Sequence, residues 1–224
     1  MKIYSVIVCF KPEITALIKI CNILLNDTNI ILVDNTEVCT IHELSGINGI
    51  DLIVLNENTG IAKAQNIGIQ IAVKKGAEVI VFFDQDSEIE NDFIYKLTAP
   101  LKNNVLMVVS PVFIDKKNGF RFPSMRLNKF GLLKKIRFND LTEPYDVDVV
   151  ISSGSATTKK TFEIVGLMNE DYFIDFVDTE WSLRCRSMGI PIKVIPTAIM
   201  KHAIGDKSID LFFIRIFIHS PLRT

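Results

Sequence analysis

The sequence lacks several patterns that mark common protein classes. Its four cysteines, at positions 9, 21, 39 and 185, form no CxxC pair, which is typical of proteins from a reducing compartment. The turn after the first predicted strand contains no glycine, and neither Gly-Lys-Ser nor Gly-Lys-Thr occurs. These absences exclude a dinucleotide-binding Rossmann domain and a P-loop enzyme.

Charge and hydropathy exclude further classes. The net charge is −1 and the pI about 6.3, so the basic excess of a nucleic-acid-binding protein is missing and no nucleic-acid partner is expected. No apolar stretch reaches the length of a transmembrane helix, and the first residues lead directly into a strand-like run instead of a signal peptide. We therefore expect a cytoplasmic protein. The basic clusters at 116–117 and 134–137 predict a solvated surface, or else attraction to anionic lipid or a charged acceptor.

Length and composition predict one domain with a large core. The chain has 224 residues, 48% of them hydrophobic, which is ordinary for a globular protein of this size. We expect residues 1–100 to form a nucleotide-binding half and residues 101–210 an acceptor and catalytic half. The apolar segment 211–224 is too short to span a bilayer. It is expected to meet a partner chain, a missing segment or a membrane surface, and the end at Thr224 to be a truncation or a naturally short product.

Short apolar strands alternate with amphipathic helices in the first half. This alternation predicts a doubly wound α/β fold with a mainly parallel central sheet. In the second half the pattern is less regular, and residues 116–146 read as loops and short elements. The predicted strands are 3–10, 29–33, 51–55, 77–83, 105–114, 147–152 and 192–195. The predicted helices are about 12–25, 60–74, 91–101, 158–165 and 178–188.

Polar residues follow three successive predicted strands. They are Asp34-Asn35, Glu57-Asn58 and Asp84-Gln85-Asp86. Since the carboxyl ends of parallel strands share one edge of the sheet, these groups can form one site. Asp84 and Asp86 point the same way if the strand continues, and two adjacent carboxylates repel unless a cation or hydrogen bonds relieve them. Asp84-Gln85-Asp86 therefore predicts a hard-metal site that holds a diphosphate, or a polar turn.

Three segments together resemble one enzyme family. Residues 57–68, ENTGIAKAQNIG, resemble the ENxGxAxAxNxG segment of inverting GT-A glycosyltransferases of family 2, and residues 84–87, DQDS, are similar to its DxD motif. Residues 173–184, FIDFVDTEWSLR, match the segment that carries its catalytic base, with Val177 in place of the usual glutamate. Together with Ser152-Ser153-Gly154 and a later His-x-x-Gly-Asp, they look most like bacterial rhamnosyltransferases, over essentially the whole chain.

The resemblance implies a donor site for a nucleotide sugar. Asp34 is expected to accept a hydrogen bond from the N3–H of uracil or thymine, or alternatively to cap a turn. The helix that begins near Ile61 has N–H groups that favour anions, and Lys63 is a nucleotide contact or a solvated lysine. The implied donor-side residues are Phe10, Asp34, Glu57, Asn58, Gly60, Lys63, Asn66, Asp84, Gln85, Ser153, Gly154 and Arg184.

The resemblance also implies a catalytic base and a metal. Asp178 would remove the proton of the acceptor hydroxyl, with a helix N-cap as the alternative. The acceptor-side residues are Asp175, Glu180 and Trp181; Trp181 could instead pack in the core, and Arg184 could pair with a carboxylate of its own helix. The metal would be Mg²⁺ or Mn²⁺, and its expected ligands are Asp86 and His202.

The function that follows is a metal-dependent, inverting transfer of a sugar to a hydroxyl. By resemblance the donor is dTDP-rhamnose and the acceptor a growing polysaccharide or O-antigen-like glycan. A lipid-linked acceptor would bring peripheral contact with the inner face of the cytoplasmic membrane. The alternatives are another donor, such as a UDP-sugar, and a truncated, non-catalytic nucleotide-sugar-binding subunit. The oligomeric state is left open.

Overall fold

The computed structural model describes residues 1–116, 119–136, 142–202, 207–211 and 214–218. The strands are β1 (Ile3–Cys9), β2 (Asn29–Asp34), β3 (Ile50–Val54), β4 (Val79–Asp84), β5 (Glu88–Ile89), β6 (Val108–Asp115), β7 (Ser124–Leu127), β8 (Leu133–Ile136), β9 (Tyr145–Val147), β10 (Ala156–Thr158), β11 (Ile192–His202), β12 (Lys207–Leu211) and β13 (Ile214–Ile218). The helices are α1 (Ile14–Leu24), α2 (Ile61–Lys74), α3 (Phe93–Thr98), α4 (Lys159–Val165) and α5 (Val177–Ser187), with short 3₁₀ turns at His42–Gly46 and Ala99–Asn104.

One sheet joins the two halves of the chain. Its strand order is β3-β2-β1-β4-β10-β6-β11-β5, and β9 pairs with β11. Strands β3, β2, β1 and β4 are mutually parallel, as are β6 and β11. The short strand β10 runs antiparallel between β4 and β6. The predicted parallel sheet is thus present, and its central strands are continuous Ile and Val runs because helices cover both faces.

Two apolar cores lie on the two faces of this sheet. Neighbouring residues of β1 alternate between them, as Val6 packs with α2 and α5 whereas Ile7 packs with α1 and α3. Helix α2 lies close against β1, since a Cβ atom at Gly68 would collide with the side chain of Val6. This close approach fixes where α2 begins relative to the strand ends.

The second half departs from the sequence-based prediction at three places. The predicted strand 147–152 is wrong except at Val147, which ends β9, since residues 148–154 form an irregular segment. Strand β11 continues past Ile195, where the prediction ended, because the sheet absorbs Pro196 in a register shift between Ile195 and Ile199. Residues 124–136, expected as loops and short elements, form the antiparallel hairpin β7–β8.

The C-terminal segment is described only in part. The backbone of β12 pairs antiparallel with that of β13, and the rest of the predicted segment 211–224 lies outside the described residues. Among the helices that the structure describes, none combines the length and the apolarity needed to cross a membrane.

Candidate functional site

The carboxyl ends of β1, β2 and β4 meet at one edge of the sheet, and Gln85 ties two of them together. The backbone N–H of Phe10 donates to Gln85 Oε1 at 2.7 Å, and Gln85 Nε2 donates to the carbonyl of Phe10 at 3.2 Å. Both ends of the amide are therefore used to hold the turn after β4 against the end of β1. Phe10 and Gln85, both predicted donor-side residues, form part of the frame of the site.

Asp34 lies at the end of β2 with an unsatisfied oxygen. The residue is fully buried, and its Oδ1 accepts a hydrogen bond from the Thr36 N–H at 3.1 Å. Oδ2 is buried and has no hydrogen-bond partner among the described residues. Burial and the neighbouring Asp34 raise the pKa of the Cys39 thiol, so this neighbour stays neutral and is only a weak donor. A buried acceptor without a donor is costly, and it suits a ligand that brings an N–H group.

An amide network organises the loop that leads into α2. The side chain of Asn35 donates to Asn58 Oδ1 at 3.0 Å and accepts from the Thr59 N–H at 2.8 Å. Asn58 Oδ1 also accepts from the Gly60 N–H at 3.1 Å, and the Ile61 N–H donates to a carbonyl of the loop before α5. These bonds occupy the N–H groups of Thr59, Gly60 and Ile61 at the start of the helix.

Glu57 and Lys63 flank this loop with exposed side chains. Neither side chain is therefore part of the apolar core.

The acidic turn after β4 is held by two serines. The Asp84 N–H lies 3.1 Å from Ser87 Oγ and 3.2 Å from Ser153 Oγ, so the predicted residue Ser153 supports the turn. Asp84 is half-buried and Asp86 is exposed. Sequence reasoning missed Lys116, whose Nζ lies 3.3 Å from the carbonyl of Asp86. The sequence analysis places it in a basic cluster that is solvated or attracted to an anionic group, because its approach to this turn depends on the pairing of β6 within the sheet.

The acidic turn suits a metal that shares its ligands with a substrate. Within the described residues, no group of three or more His, Cys, Asp and Glu side chains could hold a metal by itself. Asp84 and Asp86 nevertheless offer hard oxygen ligands, and Asp86 is open to solvent. This set fits Mg²⁺ or Mn²⁺, which in nucleotide sites use one or two carboxylates and substrate phosphates. The backbone of His202 ends β11, whereas its side chain lies outside the described part of the chain.

Asp178 lies in the first turn of α5 and faces the irregular segment 148–154. The residue keeps partial exposure, but burial of its carboxyl raises the pKa of Asp178 to about 6. Hydrogen bonds from the N–H and the hydroxyl of Ser152 oppose this rise, and the negative charge of Asp84 adds to it. A carboxylate with a pKa near neutrality is suited to act as a general base.

Gln65 and Ser152 were not predicted as site residues. Gln65 Nε2 donates to Ser152 Oγ at 2.9 Å, which leaves the Ser152 hydroxyl proton for Asp178. Gln65 is 3% exposed, and its Oε1 has no partner in the described part of the molecule. The signal in the sequence is a polar residue between Ala64 and Asn66 on the apolar side of α2.

Several predicted site residues converge on the segment 165–168. Asn66 exchanges two hydrogen bonds of 2.9 Å with the backbone of Met168. Trp181 Nε1 donates to the carbonyl of Gly166 at 3.0 Å, and its ring packs against Phe162 with the centroids 5.2 Å apart. Trp181 thus occupies the core position that the sequence left open as an alternative.

Arg184 also holds this segment. Its two terminal nitrogens donate to the carbonyls of Val165 and Leu167 at 2.9 and 2.8 Å, and its guanidinium pairs with both carboxylate oxygens of Glu180 at 2.8 Å. This is the pairing within one helix that the sequence analysis gave as the alternative. In this structure Asn66 and Arg184 both hold the segment 165–168. Asp175 lies in the exposed turn before α5.

The sequence and the fold are similar to those of known proteins. A model of the family described as glycosyl transferase family 2 matches residues 5–165. The chain is 46% identical over 227 residues to the dTDP-rhamnosyl transferase RfbF of Shigella flexneri, covering 99% of this chain and 75% of that protein. The fold is similar to the crystal structure of GalNAc-T7 with UDP, GalNAc and Mn²⁺, with a TM-score of 0.76 and 17% identity over 91% of this chain. The chain spans 44% of the length of that structure. The predicted GT-A-like fold is confirmed.

Proposed function

The chain belongs to glycosyltransferase family 2, and we propose that this glycosyltransferase moves L-rhamnose from dTDP-rhamnose onto a hydroxyl of a growing cell-surface glycan. The observation that carries the proposal is Asp178, a carboxylate whose pKa is raised to about 6 beside Asp84 of the acidic turn. The choice of rhamnose is supported by the 46% identity to a protein named a dTDP-rhamnosyl transferase.

The reaction we propose is a single displacement with inversion. Asp178 accepts the proton of the acceptor hydroxyl while the hydroxyl oxygen forms a bond to the anomeric carbon. The bond between that carbon and the diphosphate oxygen breaks, and the nucleoside diphosphate leaves with the electron pair. Ser152 holds the Asp178 carboxylate through two hydrogen bonds, so the base does not have to be reoriented during proton transfer.

A divalent metal would be bound by Asp86 and Asp84 together with the donor diphosphate. When bound, it supplies positive charge that stabilises the departing diphosphate. Lys116 places a positive charge beside this turn, with its Nζ 3.3 Å from the Asp86 carbonyl and 3.3 Å from Glu88 Oε1, with which it forms an ion pair.

Asp34 is the group that we propose recognises the base of the donor nucleotide. Its buried Oδ2 lacks a partner among the described residues, and the N3–H of thymine or uracil is a donor of the kind it requires. The same group would serve a UDP-sugar equally well, so the identity of the donor is decided by experiment. Asn58 and Gly60 shape the neighbouring wall.

Two measurements test the proposal. The first is thermal stabilisation by dTDP-rhamnose and UDP-sugars, with and without Mn²⁺, on the wild type and on Asp86→Ala. We expect a metal-dependent increase in Tm with dTDP-rhamnose that is lost in Asp86→Ala. An increase in Tm with UDP-sugars alone would show that the donor is a UDP-sugar and not dTDP-rhamnose. No increase in Tm with any nucleotide sugar would contradict a functional donor site.

The second measurement is turnover of the Asp178→Asn variant. We expect a loss of roughly two orders of magnitude or more in kcat, with the thermal shift by the donor retained. Asp171→Asn, at an exposed position before α5 that is assigned to no site, is the matched control. If the wild type binds the donor but transfers no sugar to any hydroxyl acceptor, the chain is a binding subunit and not the enzyme proposed.

A further inference from the structure

The hairpin formed by residues 124–136, here called the basic hairpin, lies in an unusually basic part of the chain. Residues 116–139 contain eight Lys and Arg side chains and no Asp or Glu, whereas the chain as a whole has a net charge of −1. Strands β7 and β8 form a two-stranded sheet of their own. Four of these eight side chains, Arg126, Lys129, Lys134 and Lys135, lie on the basic hairpin itself.

The turn of the basic hairpin presents apolar side chains to solvent. Phe130 is 75% exposed, Leu132 64% and Leu133 44%. The turn is nevertheless well ordered by Asn128, whose Oδ1 accepts hydrogen bonds from the N–H groups of Phe130 and Leu132 at 2.8 and 3.0 Å. Adjacent large apolar side chains held outwards in this way mark an interaction surface.

Positive charges lie opposite one another on the same hairpin. Arg126 pairs directly with Lys134 across the two strands, and like charges in this position are destabilising. Lys129 lies over the ring of Phe130, with Nζ 5.0 Å from its centroid. In the described part of the chain, none of Arg126, Lys129, Lys134 and Lys135 has an acidic partner. An anionic surface would relieve this repulsion.

The basic hairpin is anchored beside the proposed base. The Leu127 N–H donates to Asp148 Oδ2 at 2.6 Å, and the Asp148 N–H donates to the carbonyl of Met125 at 3.0 Å. Met125 also forms a bridge with Val149. Three residues further along the chain is Ser152, which holds Asp178. A surface bound by the hairpin would therefore lie next to the catalytic segment.

We propose that the basic hairpin docks the protein on an anionic lipid bilayer. Phe130 and Leu132 insert at the level of the headgroups, and Arg126, Lys134 and Lys135 lie against lipid phosphates. The occupant is a lipid surface because the element joins an apolar tip to flanking positive charge; a polyanion in water would match the charge and leave the tip uncovered. Its use in bringing a lipid-linked acceptor to Asp178 rests on the proposed function, whereas the docking itself does not.

Vesicle co-sedimentation of the full chain tests this proposal. The vesicles contain phosphatidylcholine with or without phosphatidylglycerol, and the test variants are Phe130→Ser with Leu132→Ser, and Lys134→Glu with Lys135→Glu. We expect the wild type to bind the anionic vesicles and each double variant to bind them roughly tenfold or more weakly. The matched controls are Tyr95→Ser, which removes an aromatic side chain that is 71% exposed elsewhere, and Lys102→Glu with Lys160→Glu, which reverses two exposed lysines.

The outcomes separate docking from catalysis. All the substituted side chains are exposed, so every variant should remain folded and the stabilisation by the donor should be unchanged. Failure of the wild type to sediment with anionic vesicles, equal binding to neutral vesicles, or equal losses in the control variants would each overturn the docking proposal. Retention on heparin without binding to vesicles would also overturn it, in favour of a soluble polyanion. If the donor did not raise the Tm of the wild type, that result would instead count against the proposed function.

Discussion

At the residue scale, the proposed chemistry depends on two opposing influences on Asp178. Burial and the charge of Asp84 raise the pKa of this carboxyl, and the two hydrogen bonds from Ser152 lower it, with a result of about 6. Gln65 Nε2 donates a hydrogen bond to Ser152 Oγ at 2.9 Å, so the hydroxyl proton of Ser152 can be donated to Asp178. The base is therefore ionised at neutral pH and remains basic enough to accept a proton.

Ser152→Ala should shift the acidic limb of the pH–rate profile to higher pH. The hydroxyl hydrogen bond stabilises the ionised carboxylate, so its loss raises the pKa of Asp178 and lowers the active fraction near pH 6. At pH 8 the variant should approach the wild type. The measurement is kcat/KM from pH 5 to 8.5, with Ser187→Ala on the exposed end of α5 as the control. A profile with lower amplitude and an unmoved limb would show that Ser152 acts only on the fold.

At the element scale, the start of α2 and the loop before α5 are packed against each other. Gly60 has a φ of +81°, and a Cβ atom there would lie 2.6 Å from the carbonyl oxygen of Phe173. The same oxygen accepts a hydrogen bond from the Ile61 N–H at 2.7 Å. The glycine is therefore required both by the backbone conformation and by the close approach of the loop, which couples the donor side of the site to the helix that carries the base.

Gly60→Ala is expected to lower the free energy of unfolding by about 1–3 kcal/mol. Its methyl group also displaces the loop at Phe173, so the affinity for the donor should fall. Urea denaturation measures the first effect and thermal shift by the nucleotide the second. Gly46→Ala is the control, since a Cβ atom there has nothing within 4 Å. Equal stability of the two variants would contradict the close packing of these elements.

At the scale of the whole molecule, two apolar cores support a sheet edge where charged groups are collected. The ionised Asp178 is an unfavourable part of this arrangement. Its pKa in the folded protein, about 6, lies above the ordinary value of 3.8. The protonated carboxyl therefore contributes its full stabilisation of the folded state below about pH 3.8. This contribution is lost as the pH rises through about 6.

Asp178→Asn should therefore be more stable than the wild type at pH 7.5 while it loses turnover. The amide oxygen can accept a hydrogen bond from Ser152, and the neutral side chain avoids the buried charge. The gain should be on the order of 1 kcal/mol, reduced by the partial exposure of the residue, and it should shrink as the pH is lowered to 4. Thermal unfolding at both pH values measures it, with the exposed Asp175→Asn expected to show no gain. A variant destabilised at pH 7.5 would contradict the burial argument.

The sequence by itself determined the class of fold and the type of groups at the strand ends. Alternation of apolar strands with amphipathic helices is a local signal, and the carboxyl ends of parallel strands necessarily share an edge. Asp34, Asp84 and Asp178 were all predicted as site residues on this basis or by resemblance. The residues next to them in the sequence are sufficient to predict that they belong to the site.

Only the tertiary structure decided which polar groups face the site and which hold its frame. Gln65 and Ser152 meet although they are 87 positions apart, and Asn66 meets Met168 at a separation of 102. No local pattern reports such a pairing, because it depends on how closely α2 packs on β1 and where α5 then comes to lie. For the same reason the sequence did not show that Arg184 and Trp181 contact the segment 165–168. The position of the basic hairpin beside the segment that holds the base also depends on tertiary packing.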